Sequence, residues 1–482
     1  MILNTLQRIL IQYILRPLSA PLTHLSEKSR QNLIFACSLG FFFVHFLYSY
    51  FTSLRFLYFF VLDCFLLGII ILCGVTPKIA PVRWKAVFSV SWLCVAVFTC
   101  IAAVLYKADY LTDGVIYLIA LPIFWMVWGQ RDCDILFHCL IRATKWSFWL
   151  LLPILTAFYP ISGTGYEAFW GNPNELSVYL TVVFCSFLFD CLTLPQIGVK
   201  AIIDYLSAGL CAALIYYTAS RGGEFVCIIA LVLTVGMLAV CQGKKVLHHI
   251  LCSVLPILLS VALCIPTALY VMYAGYEGFS AIRTVFTSQP AETPGVPSSD
   301  ETPVEIPPEV PGEAPDLDSI TDFNKYKIVD SAQEGLYTYT SWRSELWTIY
   351  GSRLTPFGHD GSETLYFSDG REVDLSPHLT VLNIGYNYGF IAGVCYLLFN
   401  IATGVHCILY ALRRRDSIYG LFPFLFTVAF GAYSLVESIN SPFISVIALV
   451  YYLVQAPIVL KDAPTENKEV SPKESRLFFS VR

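Results

Sequence analysis

The residues of this chain that could do chemistry are few, and they fall in short polar motifs between long apolar runs. One motif is "SRGG" (residues 220–223), which contains Arg221. A second is "WRSELW" (342–347), which contains Arg343, and a third stretch begins at His378. An arginine guanidinium holds a carboxylate or phosphate through parallel, charge-assisted hydrogen bonds. The two arginines therefore predict a site for a negatively charged ligand.

Each of these motifs also has an ordinary structural interpretation. Arg221 could extend to the membrane interface beside a glycine helix stop, and Arg343 could lie among lipid headgroups. The stretch "GNPN" (171–174) could simply start a helix with an Asn cap followed by Pro. His378 could be a hydrogen-bonded structural histidine. These motifs nevertheless fall on one predicted side of the membrane, which favours a single cluster.

Further polar residues belong to the same predicted side and are candidates for a supporting role. They come from the turn before residue 175, the turn after residue 220, the long segment before residue 384 and the turn "VESINSP" (436–442). These supporting candidates are Asn172, Asn174, Glu224, Arg353, His359 and Glu437.

The elements that must position these residues are membrane-spanning helices. The chain has 482 residues, of which 56% are hydrophobic and 13% charged, and its mean hydropathy is +0.64. Both values lie far from those of a soluble domain, and they predict an all-α polytopic membrane protein. Runs of about 17 to 25 apolar residues mark spans, and about twelve are predicted: 33–51, 56–75, 86–106, 114–129, 146–161, 175–193, 199–219, 225–241, 250–274, 384–410, 418–436 and 442–460.

The distribution of Lys and Arg orients this bundle. On one side the short loops hold only Arg55, Lys107 and Arg221, whereas most other basic residues of the short segments lie on the opposite side. By the positive-inside rule, both termini are predicted to be cytoplasmic. Arg221 is then predicted to lie on the extracytoplasmic face.

Four regions follow along the chain. They are N-terminal transmembrane helices (1–274), a large extracytoplasmic loop (275–383), C-terminal transmembrane helices (384–460) and a cytoplasmic tail (461–482). Within the loop, residues 289–316 are rich in proline and acidic residues and lack Lys and Arg, which predicts a disordered spacer.

The second half of the loop is predicted to be an ordered helical subdomain. Aromatic and apolar residues at helical spacing in 334–354 predict a helix along the outer leaflet. Asp369-Gly370 between two alternating runs predicts a β-hairpin. Ser376 as N-cap and Pro377 at the first helical position predict that His378 opens the next helix.

Taken in order, these motifs resemble the O-antigen ligase and O-antigen polymerase superfamily of bacterial envelope glycosyltransferases. The resemblance runs from about Gly171 to Pro442 and rests on "GNPNELS", "SRGG", "WRSELW", "PFGHDG" and "HLTVLNIGYNYGFIAG". It implies that Arg221 and Arg343 hold a lipid pyrophosphate and that His378 is the catalytic residue. Where the family usually has Asn directly after the histidine, this chain has Leu379, and the nearest asparagine is Asn383.

The reaction implied by the resemblance is an inverting, metal-independent glycosyl transfer. An acceptor hydroxyl on a glycan or lipid attacks the anomeric carbon of a sugar carried on undecaprenyl pyrophosphate, and the lipid pyrophosphate leaves. The implied location is the extracytoplasmic face of the bacterial cytoplasmic (inner) membrane, in O-antigen or capsule-type polysaccharide biosynthesis. The resemblance implies no cofactor, no metal ligands and no nucleic-acid partner, and ligase and polymerase activities stay open.

Two other classes of protein remain open at this point. Twelve spans alone would fit a lipid-linked oligosaccharide flippase or another polytopic transporter, which would need a charge-lined central cavity. A non-catalytic membrane scaffold would need none of the arginines. All sixteen cysteines lie in or beside the spans and none is in a CxxC pair, so no disulfide framework or metal site is predicted.

Overall fold

The computed structural model describes residues 2–51, 56–107, 109–161, 165–193, 198–242, 246–279, 343–366, 372–415 and 417–461. The predicted spacer (289–316) and nearly all of the predicted cytoplasmic tail lie outside these residues. The part of the chain that is described is almost entirely helical, and its strands are two short ones.

The first half of the chain forms twelve α-helices and two π-helical turns. The α-helices are α1 (Ile2–Ile9), α2 (Arg16–Thr23), α3 (Glu27–Tyr50), α4 (Phe56–Gly74), α5 (Ala86–Leu105), α6 (Tyr110–Val115), α7 (Leu121–Trp128), α8 (Asp134–Phe158), α9 (Pro173–Thr193), α10 (Val199–Tyr217), α11 (Arg221–Gln242) and α12 (Val246–Gly278). The π-helical turns are Leu10–Leu15, between α1 and α2, and Ile116–Ala120, between α6 and α7.

The second half adds six helices, one 3₁₀ turn and one hairpin. Its elements are α13 (Arg343–Ser352), β1 (Glu363–Tyr366), β2 (Glu372–Leu375), α14 (Thr380–Tyr388), α15 (Phe390–Arg413), the 3₁₀ turn Ile418–Leu421, α16 (Phe422–Ser434), α17 (Val446–Val454) and α18 (Ala456–Val459). Strands β1 and β2 pair antiparallel with Glu363 opposite Leu375. This pairing confirms the predicted hairpin, although residues 367–371 at its turn lie outside the described residues.

The helices define a multi-pass membrane protein. Within the described ranges, nine helical segments are long and apolar enough to cross a membrane, and Tyr58–Gly74 and Ile418–Ser434 are shorter apolar helices. The predicted last span (442–460) is interrupted at Gln455, between α17 and α18. The all-α polytopic class is confirmed, whereas the count of twelve spans stays a prediction.

Helix α9 is the central helix of the bundle. In its most apolar window, 94% of the residues are buried inside the protein, a larger share than in any other candidate span of the described chain. It packs against α8, α10, α11, α16 and α17. Small residues allow close approach: a Cβ on Gly223 of α11 would collide with the Ser177 hydroxyl of α9.

A sharp break separates α14 from α15, where the sequence predicted one continuous span from residue 384. Gly389 has φ +104°, a left-handed value that favours glycine. A Cβ at Gly389 would meet the carbonyl oxygen of Pro356, and the Phe390 N–H donates to the Thr355 carbonyl at 2.8 Å. The loop "TPFG" (355–358) therefore packs directly into this break.

Candidate functional site

The side chains of His378, Glu437 and Arg343 meet at one end of the bundle. His378 Nδ1 lies 2.8 Å from Glu437 Oε2, and Arg343 Nη2 lies 3.3 Å from Glu437 Oε1. One carboxylate thus contacts the histidine with one oxygen and the arginine with the other. We call these three residues the His–Glu–Arg cluster.

The contact with Glu437 favours one tautomer of His378. An ionised carboxylate accepts hydrogen bonds and donates none, so Nδ1 carries the hydrogen that points at Glu437. In the neutral ring the other nitrogen, Nε2, then has the lone pair. A histidine held in this way can accept a proton at Nε2 while the carboxylate stabilises the resulting imidazolium.

His378 does not open a helix, which corrects the prediction from Ser376 and Pro377. Helix α14 begins at Thr380 with Leu379 in extended conformation before it, and His378 has φ +47°. Left-handed backbone in a non-glycine residue costs about 1–2 kcal/mol, and such strain often occurs where function fixes a side chain. The turn aims the imidazole at Glu437 instead of along the helix axis.

Hydrogen bonds from Thr380 to the backbone around Glu437 fix its position. The Thr380 hydroxyl donates to the Glu437 carbonyl at 2.7 Å and accepts from the Ile439 N–H at 3.1 Å. Thr380 is fully buried and is the first residue of α14, so it ties that helix start to the turn after α16. His378 and Glu437 therefore approach each other from two segments that a buried threonine holds together.

Arg343 is the first residue of α13, the helix predicted from the aromatic stripe. Residues 334–342 of that predicted helix lie outside the described residues. Leu346 and Tyr350 of α13 are buried, and Tyr350 packs edge-on against Tyr386 of α14 with ring centroids 4.6 Å apart. The Trp347 indole N–H donates to the Pro377 carbonyl at 2.9 Å. Packing on α14 and on the residue before His378 thus positions Arg343.

Arg221 begins α11, and this helix start packs beside the turn that bears Glu437. The Arg221 side chain is exposed. The next residue, Gly222, faces Val436, because a Cβ at Gly222 would lie 2.9 Å from Val436 Cγ2. The N-terminus of the 22-residue helix α11, where the Ser220 hydroxyl accepts from the Gly223 N–H at 3.4 Å, is thus packed beside the residue that precedes Glu437.

Asn172 and Asn174 have the structural role of a helix start. Asn172 Oδ1 accepts from the Asn174 N–H at 2.9 Å, and Pro173 is the first residue of α9. The Tyr433 hydroxyl lies 3.5 Å from the Asn174 carbonyl. This confirms the interpretation of "GNPN" as an Asn cap followed by Pro, and neither side chain contacts the His–Glu–Arg cluster in the part of the chain described.

His359 is held in a different environment from His378. Its Nε2 lies 2.6 Å from the Arg353 carbonyl, and its ring stacks on Tyr386 with centroids 4.2 Å apart and planes 10° apart. The Tyr110 hydroxyl bonds to the His359 carbonyl at 3.3 Å. These contacts fix the loop that carries His359 and Arg353. Glu224 lies in the first turn of α11, where its N–H donates to the Ser220 carbonyl at 3.1 Å.

The sequence pattern predicts only a supporting role for Glu437, yet Glu437 contacts both other members of the cluster. Glu175 is a further residue that the sequence pattern did not identify. It lies in the first turn of α9 and interacts electrostatically with Glu437. For Glu437 the sequence does carry a signal, because the glutamate of "VESINSP" follows an apolar helix and precedes a turn. Another missed group is Asp113, whose carboxylate accepts from Tyr388 at 2.6 Å and from Ser441 at 2.8 Å.

A chain of side-chain amides joins α14 to the turn 436–442 that bears Glu437. The Asn383 side-chain N–H₂ donates to Asn440 Oδ1 at 3.2 Å, and that of Asn387 donates to Asn383 Oδ1 at 3.2 Å. The Asn440 carbonyl accepts from the buried hydroxyls of Tyr117 and Tyr452. Asn383 thus connects α14 to the turn that bears Glu437, although it does not directly follow the histidine.

The fold and this site define a multi-pass helical membrane protein with a polar, histidine-containing cluster at one end of its helices. Across the described ranges, no group of three or more His, Cys, Asp or Glu side chains is arranged to hold a metal ion. Comparison of the chain with protein-family models, with curated proteins and with solved structures finds no match.

Proposed function

We propose that this protein is an inverting glycosyltransferase that transfers or polymerises glycan from undecaprenyl-pyrophosphate donors. The observation that carries the proposal is the contact of one carboxylate, Glu437, with both His378 and Arg343. The cluster offers a proton acceptor and a guanidinium at the same place. A hydroxyl attack with an anionic leaving group requires both.

His378 acts in this proposal as the general base. Its Nε2 takes the proton of the acceptor hydroxyl while the oxygen attacks the anomeric carbon. The bond from that carbon to the pyrophosphate oxygen breaks on the opposite face of the sugar, so the configuration inverts. General-base assistance contributes about 10²- to 10⁴-fold in rate.

Arg343 and Arg221 hold the leaving pyrophosphate. A guanidinium has five N–H donors, so Arg343 can keep its bond to Glu437 and still bind phosphate oxygens. Arg221 adds a second positive charge at the N-terminus of α11, where the helix dipole also favours an anion. The two carboxylates of Glu175 and Glu437 disfavour an anion at the site, and the arginines offset that charge.

The proposed site faces the extracytoplasmic side of the cytoplasmic membrane of a bacterium. Support for this comes from the Lys and Arg distribution in the sequence and from the resemblance of its motifs to the O-antigen ligase and polymerase superfamily. The lipid part of the donor would stay in the bilayer while its pyrophosphate reaches the end of the helices. The acceptor would be a glycan in a polymerase, or a glycan or lipid in a ligase.

A transporter is the second candidate function, and one observation favours it. Lys145 of α8 contacts Asp190 of α9 at 2.7 Å and Asp204 of α10 at 2.5 Å, within helices that are long enough to span a membrane. Buried ionisable groups that pair between helices also occur in proton- and ion-coupled transporters. Such a protein would move the lipid-linked glycan and leave its glycosidic bond intact.

The experiment that separates the two uses the full chain in lipid nanodiscs, which enclose no compartment. Purified protein receives an undecaprenyl-pyrophosphate-linked oligosaccharide and a glycan acceptor, without nucleotide or ion gradient. Chromatography should show an enlarged glycan together with an equal amount of released undecaprenyl pyrophosphate. An intact donor after long incubation, together with movement of the donor across vesicles made with the same protein, would contradict the transferase.

A further inference from the structure

A separate cavity has none of the residues of the His–Glu–Arg cluster in its lining. It has a volume of about 540 Å³ and lies between α1, α5, the π-helical turn Ile116–Ala120 and α7. Cavities of about 300–1,000 Å³ are the usual size for small-molecule sites.

The cavity is apolar and is bordered by residues on the lipid-facing surface. Its inner wall includes the buried side chains of Trp92, Tyr117 and Trp125. At its border Leu93 and Leu118 are exposed, as expected of residues that face lipid chains. The cavity therefore lies where the hydrocarbon of the bilayer meets the protein.

The wall beside the π-helical turn is fixed by hydrogen bonding. Pro122 has no N–H, so it cannot donate to the Leu118 carbonyl, and the helix widens to a π turn just before it. The Trp92 indole N–H donates to the Tyr117 carbonyl at 2.7 Å. This bond holds the indole against the turn, and the space beside it stays open. Such π turns are frequent at functional sites.

The length of the cavity matches one leaflet of a bilayer. Along α5 its lining extends from Trp84, just before the helix, to Ala96. The ten residue steps from Ala86 to Ala96 correspond to a rise of about 15 Å. The hydrocarbon core of a bilayer is about 30 Å thick, so one leaflet has about this depth.

One end of the cavity is basic. Arg8 follows the lining residue Gln7, and Arg83 and Lys85 flank the lining residue Trp84. Both arginines are exposed. The sequence has no Asp or Glu at residues 1–26, 75–90 or 455–461, the segments that form this end. Basic clusters at the ends of transmembrane helices bind anionic lipid headgroups.

We propose that this cavity holds one acyl chain of an anionic glycerophospholipid, whose headgroup lies at the exposed Arg8 and Arg83. Its depth fits a single leaflet, its wall is aromatic and aliphatic, and its charged end has the sign that an anionic headgroup requires. A zwitterionic phospholipid would gain less from that end. A polyprenyl chain would exceed one leaflet.

Native mass spectrometry of the full chain in mild detergent tests the proposal. The parent protein should retain one anionic phospholipid. Ser89→Phe places a ring at a lining position, and burial of each methylene group is worth about a fourfold change in affinity, so this variant should retain at least about tenfold less. Val90→Phe adds the same ring at the neighbouring, lipid-exposed position and should retain the lipid like the parent. Equal retention by Ser89→Phe and the parent would overturn the proposal.

Two further measurements address the headgroup and do not depend on how Ser89→Phe folds. In nanodiscs, a phosphatidylglycerol with brominated chains should quench the tryptophan fluorescence of the parent more than a brominated phosphatidylcholine at the same mole fraction. Arg83→Gln should reduce that preference about fivefold, because one basic residue near an anionic surface contributes about this factor. Equal quenching by the two lipids, or a polyprenyl phosphate as the retained species, would show that the proposal is wrong.

Discussion

The His–Glu–Arg cluster and the cluster of Lys145, Asp190 and Asp204 both combine acidic and basic side chains, and they differ in where the chain places them. In the His–Glu–Arg cluster the exposed fractions of the side chains are 28% for His378, 14% for Glu437 and 20% for Arg343. In the cluster of Lys145, Asp190 and Asp204, which we call the Lys–Asp cluster, they are 13%, 13% and 6%. The first lies on turns and helix starts, and the second lies inside three helices.

The difference in exposure and placement indicates that one cluster is suited to binding a substrate and the other to stabilising the helix bundle. In the Lys–Asp cluster Lys145 contacts both aspartates and offsets one of their two charges, and it also lies 4.8 Å from the ring centre of Phe187. In the His–Glu–Arg cluster, His378 lies in a strained turn. Arg343 is the first residue of α13, a helix of the predicted large loop. Partly exposed, differently oriented groups can meet a substrate, whereas a closed ion cluster ties helices together.

The largest effect on stability should come from breaking the Lys–Asp cluster. Removal of one partner of a buried ion pair leaves uncompensated charge and costs about 3–5 kcal/mol, so Lys145→Met should strongly lower the free energy of unfolding. The measurement is thermal unfolding of the purified protein in detergent. Arg414→Met is the matched control, because Arg414 pairs with Asp132 and Asp134 nearer the surface, where ion pairs contribute about 0–1 kcal/mol.

A triple variant sharpens the same comparison. Lys145→Met with Asp190→Asn and Asp204→Asn removes all three charges, and replacement of a whole buried cluster is often neutral. The triple variant should therefore recover most of the stability that Lys145→Met loses. If a stable triple variant no longer moves the donor across vesicles, this cluster instead has a role in transport.

A smaller effect, on donor binding, is expected from Arg343→Ala. A hydrogen bond to a charged group is worth about 1.5–3 kcal/mol, so the Kd for the pyrophosphate donor should rise about 10- to 150-fold. Binding of a fluorescent lipid-pyrophosphate glycan measures this. Arg414→Ala, at the far end of α15, should bind the donor like the parent. An unchanged Kd in Arg343→Ala would remove this arginine from the donor site.

The smallest effect of the series is expected from Glu437→Gln. Replacement of a charge-assisted hydrogen bond by a neutral one weakens the hold on His378 by about 1 kcal/mol, so kcat should fall about fivefold while the donor KM changes little. Glu175→Gln is the matched control. It removes a nearby negative charge without touching His378, so it should leave kcat unchanged. A fall in kcat that is equal in the two variants would show that charge, and not positioning of the histidine, is what matters.

The spans could be predicted from the sequence because each helix in a bilayer needs about 20 consecutive apolar residues. Prediction failed where local geometry decides the outcome. Gly389 splits a continuous apolar run because the loop at Pro356 packs into the break. Gln455 interrupts the last span, and apolar composition does not mark either interruption.

The candidate site was predicted in part. Helical spacing identified the segment of Arg343, and turn residues identified the hairpin that precedes His378. The sequence placed His378 inside a helix because Ser376-Pro377 is a common helix start, but the chain turns through a left-handed residue before α14 begins. The contact of Glu437 with both other members joins residues 59 and 94 positions apart, and no local pattern reports a contact of that kind.

The central claim is that His378 does the chemistry and His359 holds a loop. Its most direct test is single-turnover glycan transfer in nanodiscs by His378→Ala and His359→Ala, with donor binding measured on the same samples. We expect His378→Ala to bind the donor nearly as well as the parent and to transfer glycan about 10²- to 10⁴-fold more slowly. His359→Ala should keep the parent rate with reduced thermal stability, because it loses its bond to Arg353 and its stacking on Tyr386. Transfer at the parent rate by His378→Ala, with His359→Ala inactive, would contradict the account.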